Sequence, residues 1–329
     1  MEVQKVDKVS YDIDPKLDFS KAEHRKVIII GSGPAGCTAG IYTARADLKP
    51  LLIRGNDPGG QLVRTTDIEN YAGFIGTGPE LMMKMDEQAQ EQGCELIFGE
   101  VIAVDFSVRP FKLVLFPDIC YTADSVIIAT GASAKYLGLE SEQKYMNKGV
   151  SGCATCDGPL YRNKIVSVVG GGDVAIEDAL FLSRFCKEVH VIHRRRELRA
   201  SKPMQKRAFE NPKIIFEWDS VVDEILGDGE FVNGVMLKDV KTNEKRKLVC
   251  AGVFMAIGHK PNTDVFKKYI ETDEVGYIIT KNGKSHTNVE GVFCCGDAQD
   301  KEYRQAITAA GSGCKAALDC ERWLATQQI

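Results

Sequence analysis

The chain of 329 residues has no apolar run near the roughly 18 residues of a helical membrane span; the run around Val27 to Ile30, for example, stops at Gly31. That absence excludes a helical crossing of a bilayer. An excess of one charge is missing too: 42 Lys and Arg stand against 46 Asp and Glu, for a net charge of −4. Global charge therefore favours neither nucleic acid nor an anionic membrane as partner. The first 26 residues lack the apolar stretch of a signal peptide and the Arg-rich, acid-poor bias of a transit peptide, so the cytoplasm is the expected compartment. Eleven cysteines are present, but they are scattered and odd in number, which argues against a secreted disulfide framework. What remains is the composition of a globular protein, 44% hydrophobic and 27% charged, long enough for about two domains.

One pattern occurs twice. Residues 26–55 and 164–195 each run from a short β-branched strand through a glycine turn and an amphipathic helical stretch into a second apolar strand. Gly31 to Arg54 and Gly170 to His193 both span 23 positions. The turns read Gly31-Ser32-Gly33-Pro34-Ala35-Gly36 and Gly170-Gly171-Gly172-Asp173-Val174-Ala175. In such a turn the first glycine makes the strand-to-helix bend and the second admits backbone close to a pyrophosphate. The third position must be small so that helix and strand can pack. The pyrophosphate itself rests on unsatisfied N–H groups at the helix N-terminus. Two such units predict two dinucleotides.

The residue after the second strand discriminates between dinucleotides, because an acid there accepts ribose hydroxyls whereas arginines match a 2′-phosphate. In the second unit that place reads His193-Arg194-Arg195-Arg196, with Arg199 one turn on and no acid before Glu197. This cluster favours NADPH over NADH. In the first unit the equivalent residue is Arg54, again without an acid. Asp57 and the backbone of the following loop are the two candidates for holding that ribose.

Between these units stands Cys153-Ala154-Thr155-Cys156-Asp157. Two thiols at this spacing close a small ring, and a helix start lowers the pKa of one of them, so the pair suits dithiol–disulfide cycling. A zinc site is the competing reading, but the next histidines, His190 and His193, lie an entire βαβ unit away, and no metal is expected. Asp157 is either a helix cap or a proton relay for the thiols; the relay is favoured.

The CATCDG segment, the GGGDVA unit, HRRRELRA and the tail from Gly291 to Leu324 resemble, in order and spacing, the low-molecular-weight thioredoxin reductase family over about residues 26–326. The resemblance implies an α/β fold of two Rossmann-like dinucleotide-binding domains, with the NADPH domain inserted into the FAD domain. The implied boundaries are an N-terminal extension over 1–25, the FAD domain over 26–132 and 263–329, and the NADPH domain with the redox pair over 133–262. It also implies FAD and NADPH as cofactors, oxidised thioredoxin as substrate and a homodimer. By motif the FAD residues are Gly31, Ser32, Gly33, Pro34, Ala35, Gly36, Gly60, Gln61, Asn70, Cys156, Gly296, Asp297, Arg304, Gln305 and Ala306. Those for NADPH are Gly170, Gly172, Asp173, Val174, Ala175, His193, Arg194, Arg195 and Arg199. Cys153, Cys156 and Asp157 are the catalytic set, with Cys156 nearer the flavin and Cys153 attacking thioredoxin. One disulfide cannot meet a buried flavin and an external protein at once, so the resemblance implies rotation about linkers near Ala132 and His259.

Two features depart from the family pattern. Residues 1–25 have no counterpart and read as a disordered or surface-packed arm. Cys294 and Cys295 stand where small residues are usual and read as buried small hydrophobes, because adjacent cysteines form only a strained disulfide. Cys37, Cys186, Cys314 and Cys320 fall in helical patterns and are expected to pack.

Overall fold

The computed structural model describes residues 11–64 and 67–327. The chain divides into two compact units: 11–64, 71–132 and 261–327 form the first, and 67–70 with 133–260 form the second.

In the first unit the strands are β1 (Glu23–Ile30), β2 (Leu51–Ile53), β3 (Glu95–Ile97), β4 (Val101–Asp105), β5 (Phe111–Leu115) and β6 (Ile119–Ile128), in spatial order β3-β2-β1-β6-β5-β4. The helices α1 (Pro34–Arg45) and α2 (Gly78–Glu91) follow β1 and precede β3. Val27 to Ile30 are essentially inaccessible to solvent, as the centre of a parallel sheet requires, and a continuous apolar run supplies this. The long strand β6 serves two partners on one edge. Its first half pairs antiparallel with β5, and Val126–Ile128 pair in parallel with the returning strand Val292–Cys294. The tail thus completes the sheet begun at β1. The closing helix, Ala306–Thr326, crosses α1 so closely that a Cβ at Gly313 would lie 2.1 Å from the Ala35 carbonyl oxygen.

In the second unit a parallel sheet contains β7 (Val150–Ser151), β8 (Ile165–Val169), β9 (Glu188–Ile192), β10 (Ile214–Glu217) and a last strand Gly252–Met255, in the order β7, Gly252–Met255, β8, β9, β10. The single-turn helix α3 (Ala154–Asp157) follows β7, and α4 (Asp173–Leu182) links β8 to β9. A three-stranded antiparallel sheet formed by Ser220–Gly227, Val232–Asp239 and Lys245–Leu248 stands beside it. Its apolar face joins Tyr145, Val150 and Val253 in one core.

Residues 11–22 of the N-terminal extension are surface-packed, one of its two expected states. Strand β1 already begins at Glu23, and Glu23, His24 and Arg25 pair with Tyr121, Thr122 and Ala123. These residues are polar because they extend the strand past the core, so they carry no apolar signal. Asp12 pairs with Lys268, and Lys112 lies over the Phe19 ring, so residues 11–22 pack on the first unit. Residues 1–10 of the expected arm lie outside the described residues. Cys186 falls beyond the end of α4 rather than within a helix, though it is buried; Cys37 and Cys320 are buried and Cys314 is half-exposed. Cys294 and Cys295 are buried free thiols whose pKa values burial pushes up, that of Cys295 to about 12.

Candidate functional site

Both glycine turns lie at the carboxyl ends of their parallel strands, where open α/β sheets bind nucleotides. The first glycine is sterically obligatory in each: Gly31 has φ +106° and Gly170 φ +155°, and a Cβ on either would lie 2.4 Å from a carbonyl oxygen of the neighbouring strand's end. The second glycines, Gly33 and Gly172, are the N-caps of α1 and α4, and a Cβ on either would meet nothing within 4 Å. Each turn therefore has open space before a helix N-terminus, which fits a pyrophosphate. At the third position the units diverge. A Cβ on Gly36 would lie 1.8 Å from the Gly31 oxygen, whereas the second unit accommodates Ala175.

Around the first turn, the Ser32 hydroxyl donates to the Arg54 carbonyl (3.1 Å) and accepts from Gly59 N–H (3.0 Å), which draws the loop after β2 onto the glycine turn. Gly60 and Gln61 begin a 3₁₀ turn, and a Cβ on Gly60 would lie in van der Waals contact with Gly33 Cα, at 3.7 Å. Pro34 opens α1, and Gly296 abuts Ala35, so Gly296 and Asp297 join the cluster. Burial pushes the Asp297 carboxyl up to about 7; Asp300 adds to this and Arg304 opposes it. Arg304, at φ +47°, donates a hydrogen bond to the Tyr277 phenol. The helix itself starts at Ala306 with Gln305 as its N-cap, two residues later than Arg304. Asn70 and Cys156, assigned to the same cofactor by resemblance, belong to the second unit.

Arg54 is not a free cation. Its guanidinium pairs with Asp86 of α2 and lies 4.8 Å from the centre of the Phe98 ring. Asp86 in turn receives the Cys37 thiol at 3.3 Å. The strand end that lacks an acid in sequence thus borrows one from a helix 32 residues away.

Around the second turn the arginine segment folds back. Arg199 N–H and Ala200 N–H both donate to the Gly171 carbonyl, at 2.7 and 3.2 Å, and Ser201 N–H donates to the Asp173 carboxylate at 2.8 Å. That bond holds the Asp173 pKa below the ordinary value. The His193 ring lies against Gly171, where a Cβ would come within 2.3 Å of it, and its Nε2 is 3.1 Å from the Glu197 carbonyl oxygen. Burial, and then the charges of Arg199, Arg194 and Arg195, push His193 below its usual pKa against the Glu197 carbonyl. Val174 and Ala175 lie in the first turn of α4. Arg194, Arg195 and Arg199 are exposed around this site, but Arg196 is bound to Asp219, which also holds Lys241. Gly171 and Asp219 were missed by sequence reasoning. Gly171 was visible as an extra glycine in the turn, whereas nothing local marks Asp219 as the partner of Arg196.

Cys153 and Cys156 form a disulfide, with Cys153 as N-cap of α3 and Cys156 N–H donating to Cys153 Sγ at 3.2 Å. Asp157 closes the helix, and its Oδ2 accepts from the buried Ser151 hydroxyl at 2.5 Å. Burial raises the Asp157 pKa, the Ser151 bond lowers it and the charge of Asp67 raises it. A carboxyl of heightened proton affinity beside a disulfide is suited to giving and taking protons. Among the described residues no group of three or more His, Cys, Asp and Glu is arranged to hold a metal ion, and no helix is long and apolar enough to cross a membrane.

The family described as pyridine nucleotide-disulphide oxidoreductase matches residues 25–313. The thioredoxin reductase of Rickettsia prowazekii (strain Madrid E) is 53% identical over 303 residues, which cover 91% of this chain and 98% of that protein. The thioredoxin reductase of Coxiella burnetii (strain RSA 493 / Nine Mile phase I) is 50% identical over 315 residues, covering 93% and 98%. Among solved structures, thioredoxin reductase from Giardia duodenalis superposes with a TM-score of 0.88 at 44% identity, covering 92% of this chain and all of that one. With both glycine turns and the disulfide in place, the chain belongs to the pyridine nucleotide-disulphide oxidoreductase family, on its thioredoxin reductase branch.

Proposed function

We propose that this protein is a thioredoxin-disulfide reductase that carries reducing equivalents from NADPH through FAD and the Cys153–Cys156 disulfide to oxidised thioredoxin. The observation that carries the reading is that disulfide, set beside a buried acid in a chain that also holds two dinucleotide turns. The first unit is the FAD domain and the second the NADPH domain. The protein works as a homodimer in the cytoplasm.

Bound, the nicotinamide would supply a hydride and the flavin a two-electron relay towards the disulfide. The rest of the task falls to the chain. Gly33 and Gly172 leave room for pyrophosphate oxygens at the N-termini of α1 and α4, whose backbone N–H groups receive them. Gly60, Gln61, Gly296, Asp297, Arg304, Gln305 and Ala306 hold the remainder of FAD; Asn70 and Cys156 are assigned to it by resemblance. Arg194, Arg195 and Arg199 take the 2′-phosphate, whose charge favours protonation of the neighbouring His193. Opening the disulfide takes two electrons, and one proton releases one sulfur as a thiol and leaves the other a thiolate. Asp157 supplies that proton. The Cys156 N–H that points at Cys153 Sγ then stabilises a thiolate at Cys153, the sulfur that attacks thioredoxin.

The test is NADPH consumption in the presence of oxidised thioredoxin. The wild type is expected to turn over, and Cys153→Ser to fall to background while retaining its flavin. Oxygen-dependent NADPH consumption unaffected by thioredoxin would reject the reading.

A further inference from the structure

Ser151 ends β7 two residues before the disulfide and is buried. Its Oγ has three polar neighbours. Cys153 N–H donates to it at 3.0 Å, Asp157 Oδ2 lies 2.5 Å away, and the Cys153 carbonyl oxygen lies 3.3 Å away. A hydroxyl has one proton to give and two lone pairs with which to accept. Because Cys153 N–H occupies one lone pair, the other lone pair and the proton are divided between Asp157 and the Cys153 carbonyl. With Asp157 ionised, the hydroxyl donates to Oδ2. With Asp157 protonated, the carboxyl donates to Oγ, and the hydroxyl proton turns to the Cys153 carbonyl. Both states leave every group partnered.

We propose that Ser151 is a positioning residue for the redox pair, a two-position hydroxyl that sets the proton affinity of Asp157 and couples its protonation to the backbone of Cys153. This rests on the reading of Cys153–Cys156 as the redox pair of a reductase. In the step concerned, two electrons enter the S–S bond and break it. One sulfur takes the Asp157 proton and becomes a thiol, the other remains a thiolate, and the new carboxylate receives the Ser151 O–H. NADPH supplies the electrons in turnover. The charged and titratable groups facing Asp157 are Asp67, whose charge raises its proton affinity, and Tyr161, whose phenol is pushed up to about 12 chiefly by burial and then by Asp157. Neither donates a bond that competes with that of Ser151 in holding Asp157 ionised, so Ser151 is the group opposing burial.

The test needs neither thioredoxin nor turnover. The full-length, flavin-loaded enzyme is equilibrated with mixtures of reduced and oxidised dithiothreitol across the acid-to-neutral range. The state of Cys153 and Cys156 is read from the mass of their alkylated peptide, which separates them from the other cysteines. The equilibrium constant is expected to change slope with pH where Asp157 titrates. Ser151→Ala should move that break upward by about one pH unit, the size of one lost hydrogen bond to a charged group. Ser151→Gly should do the same if Ala disturbs the turn, Ser151→Thr should leave the break in place, and Asp157→Asn should abolish it. A break unmoved in both Ser151→Ala and Ser151→Gly, one that moves equally in Ser151→Thr, or one that survives in Asp157→Asn would overturn the proposal. If the breaks behave as expected yet thioredoxin is not reduced, the proposed function fails and the role of Ser151 stands.

Discussion

The two dinucleotide units share a chain pattern and differ in the electrical finish of their second strand. In the first, Arg54 is neutralised by Asp86 and stacked on Phe98, so the strand end presents no net positive charge. In the second, burial and the charges of Arg199, Arg194 and Arg195 lower the proton affinity of His193, while Arg196 pairs with Asp219. Under the proposed function, the compensated strand end faces a neutral ribose and the uncompensated arginines face a phosphate. The units differ mechanically as well. The turn of the first is pressed between β1 and a crossing helix and admits only glycine at its third position, whereas the second has an alanine there.

This contrast is open to attack, beginning with the largest expected effect. Gly36→Ala would drive a methyl group into the Gly31 carbonyl, so it should release the flavin on gel filtration and lower the thermal midpoint by several degrees. The reverse change in the second unit, Ala175→Gly, should cost only about 1 kcal/mol and leave flavin bound.

Next comes pH. Burial raises Asp297 to about 7 in the folded protein. A raised carboxylate pKa means that the folded state binds the proton more tightly, so its contribution is present below the ordinary carboxylate value and is lost as pH rises towards 7. Flavin-free protein should therefore lose stability over that interval, with an upper limit of about 4 kcal/mol, and Asp297→Asn should flatten the profile in denaturant titrations. In the second unit Asp173 is shifted the other way by Ser201 N–H, and stability linked to it should be lost on acidification instead.

Nucleotide choice gives the third test. Arg194→Ala or Arg195→Ala should raise the KM for NADPH roughly 10- to 100-fold and leave that for NADH unchanged, because each guanidinium contact to a phosphate contributes about 1.5–3 kcal/mol. Arg196→Ala should change it less than about threefold, since Asp219 already holds that side chain. The last test is of stability alone, at Arg54. Arg54→Ala leaves the Asp86 carboxylate without its ion-pair partner and should cost about 1–2 kcal/mol, while Asp86→Asn added to it should recover most of the loss in a double-mutant cycle.

These residues also show what can be read from sequence. The glycine turns and the Cys153–Cys156 spacing are local patterns whose geometry is set within a few residues, and they are legible. The return of the tail to the sheet was legible from the apolar strand before Gly296. Asp86 under Arg54, Asp219 under Arg196 and Ser151 under Asp157 were not. The first two partners lie 32 and 23 residues from the residue they hold, and the third is a serine that reads like any other beside a glycine. Glu23 to Arg25 hid in the same way, because strand residues beyond the core have no reason to be apolar.

The most direct measurement is an anaerobic titration of the flavin-loaded protein with NADPH and then with oxidised thioredoxin, following flavin absorbance in the wild type and in Cys153→Ser. The account predicts rapid bleaching by NADPH, recovery when thioredoxin is added, and loss of that recovery in the variant. Bleaching that only oxygen reverses, or recovery that persists without Cys153, would contradict it.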